Sequence, residues 1–320
     1  MVESYVSACA ASLRVELVAI ADVDIARARK VASSFCIPAL AGHGEALATV
    51  PCDGIIISTP PKYHMEVAID ALRAGAHVLC GTPLTIGAIA AYRMFAAADR
   101  AERVLTMVSP FRFLADVVLA KQMIENGLIG RLLRIQNIFT SPVDVTKLRN
   151  SRIKASGGGA LIENGTYPVD IMRFIMGPIT AAYAVEASVD ERYVNCEDTA
   201  SVFVRNASGV VGTIHLSWIV GSGAPWHLLI RGSEGTIGVG WCSSQLHRFG
   251  EEPVIFGSGY DKHAAFAALL EDFADVILGV REPAIARDDA IASVEVIDAA
   301  YESLRRNSWS AVKLRRLRTI

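Results

Sequence analysis

Three stretches of the chain carry side chains whose type and spacing suit work on a bound molecule. Glu163, Tyr167 and Asp170 recur at i, i+4 and i+7, which on a helix sets a carboxylate, a phenol and a second carboxylate on one face. Gly157, Gly158 and Gly159 precede them, and a glycine run lets backbone come close to a ligand. A phenol, with an ordinary pKa near ~10, relays a proton only where a neighbouring cation pulls that value down. The second stretch, Ser58-Thr-Pro-Pro-Lys-Tyr-His64, follows the apolar run Gly54–Ser58. A loop leaving such a strand lies where open α/β sheets bind ligands. His64 there either touches a ligand or opens the next helix. The third stretch is Cys80-Gly-Thr-Pro-Leu84, where Thr82 offers one hydrogen bond and no charge, and Pro83 fixes the turn.

These residues need a scaffold, and the first half of the chain predicts one. Val15–Ala21, Gly54–Ser58, His77–Cys80 and Val104–Val108 read as strands, and Ile25–Phe35, Tyr63–Ala74 and Ile86–Ala101 as helices between them. Short, continuously apolar strands alternating with helices describe a doubly wound parallel sheet. Gly75 sits where a helix C′ glycine belongs. After a helix near Leu114–Asn126 the pattern changes. One helix, Ala160–Met176, is expected among strands at Arg134–Thr140, Ala181–Val189, Thr199–Arg205, Val210–Trp218, His227–Arg231 and Thr236–Val239. Turn signals at Asn206–Gly209 and Gly232–Gly235 make that sheet mostly antiparallel. Helices Ala264–Leu278 and Asp288–Arg306 close the chain. The expected class is α/β, a Rossmann-like doubly wound sheet plus an α+β domain with a large antiparallel sheet. Asp22 ends the strand at Val15–Ala21. In a dinucleotide-binding sheet an acid there accepts from the adenosine ribose 2′-OH and repels a 2′-phosphate. Asp22 or Asp24 would serve equally as the N-cap of the helix that follows.

Composition narrows the partners. With 31 Lys and Arg against 33 Asp and Glu, the chain has no basic field for nucleic acid. The one basic cluster, Lys313 to Arg318, reads as a solvated terminus. No apolar run reaches the ~18–20 residues of a membrane span. Six scattered Cys, without a CxxC pair, argue against zinc and disulfides and for a reducing cytoplasm. A small molecule is the expected partner.

Thr59-Pro-Pro-Lys-Tyr-His64, Ala74-Gly-Ala-His-Val-Leu-Cys80, Gly157-Gly-Gly-Ala-Leu161, Glu197-Asp-Thr199, Gly232-Ser-Glu-Gly-Thr236 and Ala299-Ala-Tyr-Glu-Ser303 follow in one order. In that order the chain resembles the glucose–fructose oxidoreductase/inositol dehydrogenase/MocA family. The resemblance implies a dinucleotide-binding domain at 1–111 and a substrate-binding and oligomerisation domain at 112–320, meeting near 109–114. It implies NAD, with NADP the lesser choice because no Arg or Ser follows Asp22 to cradle a phosphate, and no metal. Asp22, Ser58, Thr59, Pro60, His64 and Pro83 would line the cofactor, and Thr82, Glu163, Tyr167 and Asp170 the reacting centre. Arg112 would brace the domain junction. Lys147, Arg149, Arg152 and Lys154 belong to a solvated loop or reach the substrate, and Trp218 and Trp226 pack in the core or stack on a sugar.

Two departures stand out. Gly81 and Thr82 replace the family's Glu-Lys, and losing that cation commonly costs roughly 10²–10³ in rate. No Gly-x-Gly-x-x-Gly occurs; Met1–Ser12 reads as the helix that would follow such a loop, so the start codon lies inside a longer gene or the chain has decayed. The readings are an oxidoreductase of a sugar, polyol or cyclitol, an NAD-using glycosidase-like enzyme, and a non-catalytic homologue. A homodimer or homotetramer is expected, since the family pairs through its large sheet.

Overall fold

The structure, a computed structural model, describes residues 2–142, 158–188, 196–221 and 223–313. The chain opens with α1 (Val2–Ala11), then β1 (Ile20–Ala21), α2 (Ile25–Ala32), β2 (Ala39–Leu40), α3 (His43–Thr49) and β3 (Gly54–Ile57). It continues with α4 (His64–Arg73), β4 (His77–Cys80), α5 (Ala88–Ala101) and β5 (Leu105–Met107). Every pairing here is parallel, as alternation of apolar strands with helices requires.

The parallel ladder comes in two pieces, β1–β2 and β3–β4–β5. A doubly wound sheet would carry one more strand between β1 and β3, and among the described residues none lies there. The consequence shows in burial. Val78, Leu79 and Cys80 of β4, paired on both sides, are fully buried, whereas Ile55 and Ile56 of β3 are only half-buried. The strand expected at Val15–Ala21 contracts to Ile20–Ala21, the two residues that β2 pairs. Val15 and Leu17 instead lay their side chains against the cluster around Tyr5, Phe266 and Phe273.

Past a 3-10 turn at Pro110–Phe113 come α6 (Ala115–Glu125), β6 (Leu132–Thr140), α7 (Ala160–Asn164) and α8 (Thr166–Met176). Then follow β7 (Ile179–Ala187), β8 (Thr199–Asn206), β9 (Val211–Ser217), β10 (Trp226–Gly232), β11 (Gly235–Gly240), β12 (Ser244–Arg248) and β13 (Val254–Phe256). Helices α9 (Lys262–Ile277) and α10 (Arg287–Arg306) and the short β14 (Ser310–Ala311) end the described chain. The second sheet runs β13-β12-β11-β10-β6-β9-β8-β7-β14, antiparallel except where β6 meets β9. The fold is therefore a Rossmann-like parallel layer joined to a large, mostly antiparallel sheet.

Helices α7, α8 and α10 cover one face of that sheet. Leu161, Ile171, Met172 and Ile297 pack there against Ile135, Ile214, Leu228 and Ile230. Each such side chain contributes about 1.5–3 kcal/mol on burial. The C-terminal helices also return to the N-terminal layer. Phe266, Leu269 and Phe273 of α9 share a cluster with Tyr5 and Cys9 of α1, and Ile291 and Val294 of α10 share one with Val78, Met94 and Phe95.

One expected element is corrected. Ala160–Met176 is not a single helix but two, parted at Gly165. Pro168 has no N–H for the carbonyl four residues back, and its ring collides with that carbonyl in a continuous helix. Gly165 N–H bonds Leu161 O at 2.9 Å, and a Cβ at 165 would lie 2.2 Å from that oxygen. Glu163 therefore belongs to α7, while Tyr167 and Asp170 share α8.

Candidate functional site

The site is assembled at the carboxyl ends of β3 and β4, where strand polarity delivers loops to one edge. Ser58, Thr59 and Pro60 leave β3 exposed at that edge. Gly81, Thr82 and Pro83 leave β4 buried, with a cis peptide between Thr82 and Pro83. Gly81 N–H donates to Ile57 O at 2.9 Å, and a Cβ on Gly81 would come equally close to that oxygen. Thr82 is only 7% exposed, and its hydroxyl has no hydrogen-bond partner among the described residues. His64 opens α4 between these loops. Its Nε2 lies 2.8 Å from Thr59 O, and its Nδ1 2.9 Å from Pro83 O and 3.2 Å from Leu84 O. Burial holds its pKa below the ordinary histidine value, against the pull of those carbonyls and of Glu163.

Tyr167 enters from α8 in an aromatic group, its ring 5.5 Å from Phe111 and 5.9 Å from Phe139. Phe111 in turn stacks on Tyr260 at 5.4 Å. Electrostatics join this group to the β4 edge. Burial pushes the Tyr5 phenol up, and Tyr167 and Cys80 both add to the rise. Tyr5 thus lies within electrostatic range of Tyr167 and of Cys80 at the end of β4, and His64 within that of Glu163.

Asp170 has another setting. Its carboxylate is fully buried and accepts from Ser109 Oγ at 2.7 Å and from Arg112 Nε at 3.0 Å, with a second Arg112 nitrogen on Oδ1. Arg112 Nη1 also reaches Ala284 O and Asp289 Oδ2, each at 2.9 Å, and Arg173 pairs with Asp289 at 2.9 Å. Two guanidinium groups and two carboxylates thereby tie the Ser109–Arg112 turn, α8 and α10 together. Asp22 closes β1 with Oδ1 accepting from Asp24 N–H at 2.8 Å. Asp24 takes the N-cap of α2, accepting from Ala26 N–H, and leaves Asp22 at the sheet edge.

The sequence did not single out Glu197. Its carboxylate accepts from Gly159 N–H, Leu161 N–H at 3.0 Å and Tyr301 O–H at 2.8 Å, and so anchors the start of α7. Burial first, and Glu197 second, push the Tyr301 phenol up. The signal was present in three motifs read apart, the glycine run, Glu197-Asp-Thr and Ala299–Ser303, which the fold brings to one point. A Cβ on Gly159 would lie 1.9 Å from Glu197 O, so that close approach requires glycine. Trp218 is buried, with Nε1 donating to Asn164 Oδ1 at 2.7 Å. Tyr5, Asn137 and His227 were also passed over. The Asn137 amide is fully buried without a partner among the described residues, and His227, pushed down to about 4 by burial, sits 4.6 Å from the Trp241 ring. Lys147, Arg149, Arg152 and Lys154, and the tail from 314 on, lie outside the described residues.

The donor set suits a dinucleotide at both ends. A carboxylate stands at the β1 edge for a ribose diol, and an exposed loop and a buried, unpartnered hydroxyl stand at the β3–β4 edge. Among the described residues no group of three His, Cys, Asp or Glu could hold a metal ion, and no helix is long and apolar enough to cross a membrane.

Fold and strand edges together define a Rossmann-like, dinucleotide-binding architecture. The model of the oxidoreductase family with an NAD-binding Rossmann fold matches residues 2–109, and that of the Gfo/Idh/MocA C-terminal domain matches 117–238. The chain belongs to the Gfo/Idh/MocA family. It is 30% identical over 205 residues to a dTDP-3,4-didehydro-2,6-dideoxy-alpha-D-glucose 3-reductase from Saccharopolyspora spinosa, covering 63% of this chain and 60% of that protein. The rhizopine catabolism protein MocA of Rhizobium meliloti is 26% identical, over 96% of this chain and 93% of its own. A levoglucosan dehydrogenase solved with NADH and levoglucosan shares the fold at a TM-score of 0.88 and 21% identity, covering 98% of this chain and 96% of that one.

Proposed function

We propose that the chain is an NAD-dependent oxidoreductase of a sugar, polyol or cyclitol. The observation that carries this reading is the Thr82 hydroxyl, buried at the end of β4 with no partner among the described residues. NAD, when bound, exchanges hydride with the carbinol carbon. Asp22 takes the adenosine ribose; Ser58, Thr59 and Pro60 border the nicotinamide side, with Pro83 closing it. Thr82 donates a hydrogen bond to the substrate oxygen, and Tyr167 relays the alcohol's proton as a phenolate, for which the positive nicotinamide ring of bound NAD would be the cation that lowers its pKa. Phe111 and Phe139 keep water from the phenol. Glu163, whose charge His64 feels, adds a polar wall, and Asp170 acts from behind by fixing Arg112.

The sugar nucleotide for which the Saccharopolyspora spinosa reductase is named and the levoglucosan bound in the dehydrogenase structure support a carbohydrate substrate here. We place the domain division at 111/112, with α9 and α10 packed back onto the first domain. A homodimer or homotetramer through the large sheet fits the exposed Leu133 and Val185 on its strands. A reducing cytoplasm fits six free thiols. Titration calorimetry with NADH and NADPH tests the cofactor assignment: saturable NADH binding that Asp22→Ala weakens is expected, and the absence of any nucleotide binding contradicts it.

A further inference from the structure

The loops that leave β3 and β4 are joined at two points. One is the bond from Gly81 N–H to Ile57 O. The other is the His64 ring, which spans from the Thr59 carbonyl on one loop to the Pro83 and Leu84 carbonyls on the other. The ring is 1% exposed, and each nitrogen faces a carbonyl, so neither is left to touch a ligand. Nor does it serve its own helix: Tyr63 occupies the N-cap of α4, and no side-chain cap bond is made there. A neutral imidazole donates from one nitrogen only, so the neutral ring, which burial favours, bonds one loop and lies in contact with the carbonyl of the other, while the imidazolium bonds both. Burial opposes that form, and the three carbonyls and Glu163 favour it.

We infer that His64 is a positioning residue that sets the cofactor-side loop Ser58–Pro60 and the Thr82 hydroxyl in one geometry. This rests on the reading of Thr82 as substrate hydrogen-bond donor. The ring acts through others and meets neither substrate nor cofactor. Its two arms are separable, because an Asn amide falls near the position of Nδ1 and a Gln amide near that of Nε2. His64→Asn keeps the arm to Pro83, His64→Gln keeps the arm to Thr59, and His64→Leu keeps neither.

The experiment measures, for the three variants and the wild type, the NADH dissociation constant, kcat and KM with a polyol panel, and amide exchange at Gly81 and Val78. His64→Gln is expected to hold NADH affinity and lose about tenfold in kcat. His64→Asn is expected to hold kcat and lose about tenfold in NADH affinity, and His64→Leu to lose both. Exchange at Gly81 speeds up in His64→Leu while Val78, inside β4, stays protected. Equal losses in all three variants, or unaltered Gly81 exchange, overturn the inference. If the wild type turns over no polyol, the reading of the reaction fails while the exchange comparison still decides whether the ring couples the loops.

Discussion

Thr82 carries a buried hydroxyl for which the described residues supply no acceptor or donor. Such a group costs about 1–3 kcal/mol, and a protein keeps it where a ligand completes the bond. Thr82→Val retains the shape and removes the hydroxyl. Stability measured by denaturant unfolding is therefore expected to rise by about 1 kcal/mol, while polyol turnover falls about tenfold. Thr82→Lys is expected to raise polyol dehydrogenation with NADH affinity unchanged, by placing a cation near Tyr167; no gain in a variant that binds NADH contradicts this. His227 gives a pH prediction. Its folded pKa, about 4, lies below the ordinary value of about 6.5, so its contribution to stability is present above pH ~6.5 and is lost as pH falls through about 4. By pH ~4 the loss reaches about 3 kcal/mol, and His227→Gln is expected to flatten the stability curve between these values. The strand ends that carry Thr82 and Asp22 and the glycine run before Tyr167 were legible in the sequence, while the roles of these side chains belong to the proposal. His64 was visible as a residue but not as a staple, since its partners at Pro83 and Leu84 are 19 and 20 positions away.

Among the elements, α7 shows how a short helix is fixed by a distant carboxylate. It has five residues, too few to stand alone, and Glu197 supplies acceptors for the amides at its start. Glu197→Ala leaves two buried N–H groups and the Tyr301 hydroxyl without their acceptor. A loss of about 2–5 kcal/mol in unfolding free energy is expected, with Tyr301→Phe costing about 1 kcal/mol. A Glu197→Ala protein as stable as the wild type contradicts this role. The break between α7 and α8 could have been read from Pro168 and Gly165, but the spacing of apolar and site residues across Ala160–Met176 masked it. Strands β12 and β13 escaped notice for a different reason. Ser244–Arg248 is mostly polar, and Val254–Phe256 is three residues long; both become strands by pairing outward from β11.

At the scale of the molecule, the two layers are held by the Arg112, Asp170, Arg173 and Asp289 network and by α9 and α10 folding back over α1 and α5. Removing one partner of a buried ion pair costs about 3–5 kcal/mol, so Asp170→Ala is expected to lower the denaturant midpoint sharply. The general architecture was legible because strand–helix alternation and the later run of turn-separated strands carry it. The split of the parallel layer into β1–β2 and β3–β4–β5 was foreshadowed by the missing glycine loop, while the shortening of β1 to two residues depends on pairing that periodicity does not record. The central claim is that this fold presents Thr82 and Tyr167 to an alcohol beside a nicotinamide. It is tested most directly by single-turnover formation of NADH from NAD with a panel of inositols, hexoses and anhydrosugars, comparing the wild type with Tyr167→Phe. The expected result is NADH formation with at least one of them, slowed about 10²–10⁴-fold in Tyr167→Phe with NAD affinity retained. A wild type that binds NAD yet forms no NADH with any, or a Tyr167→Phe protein as fast as the wild type, contradicts it.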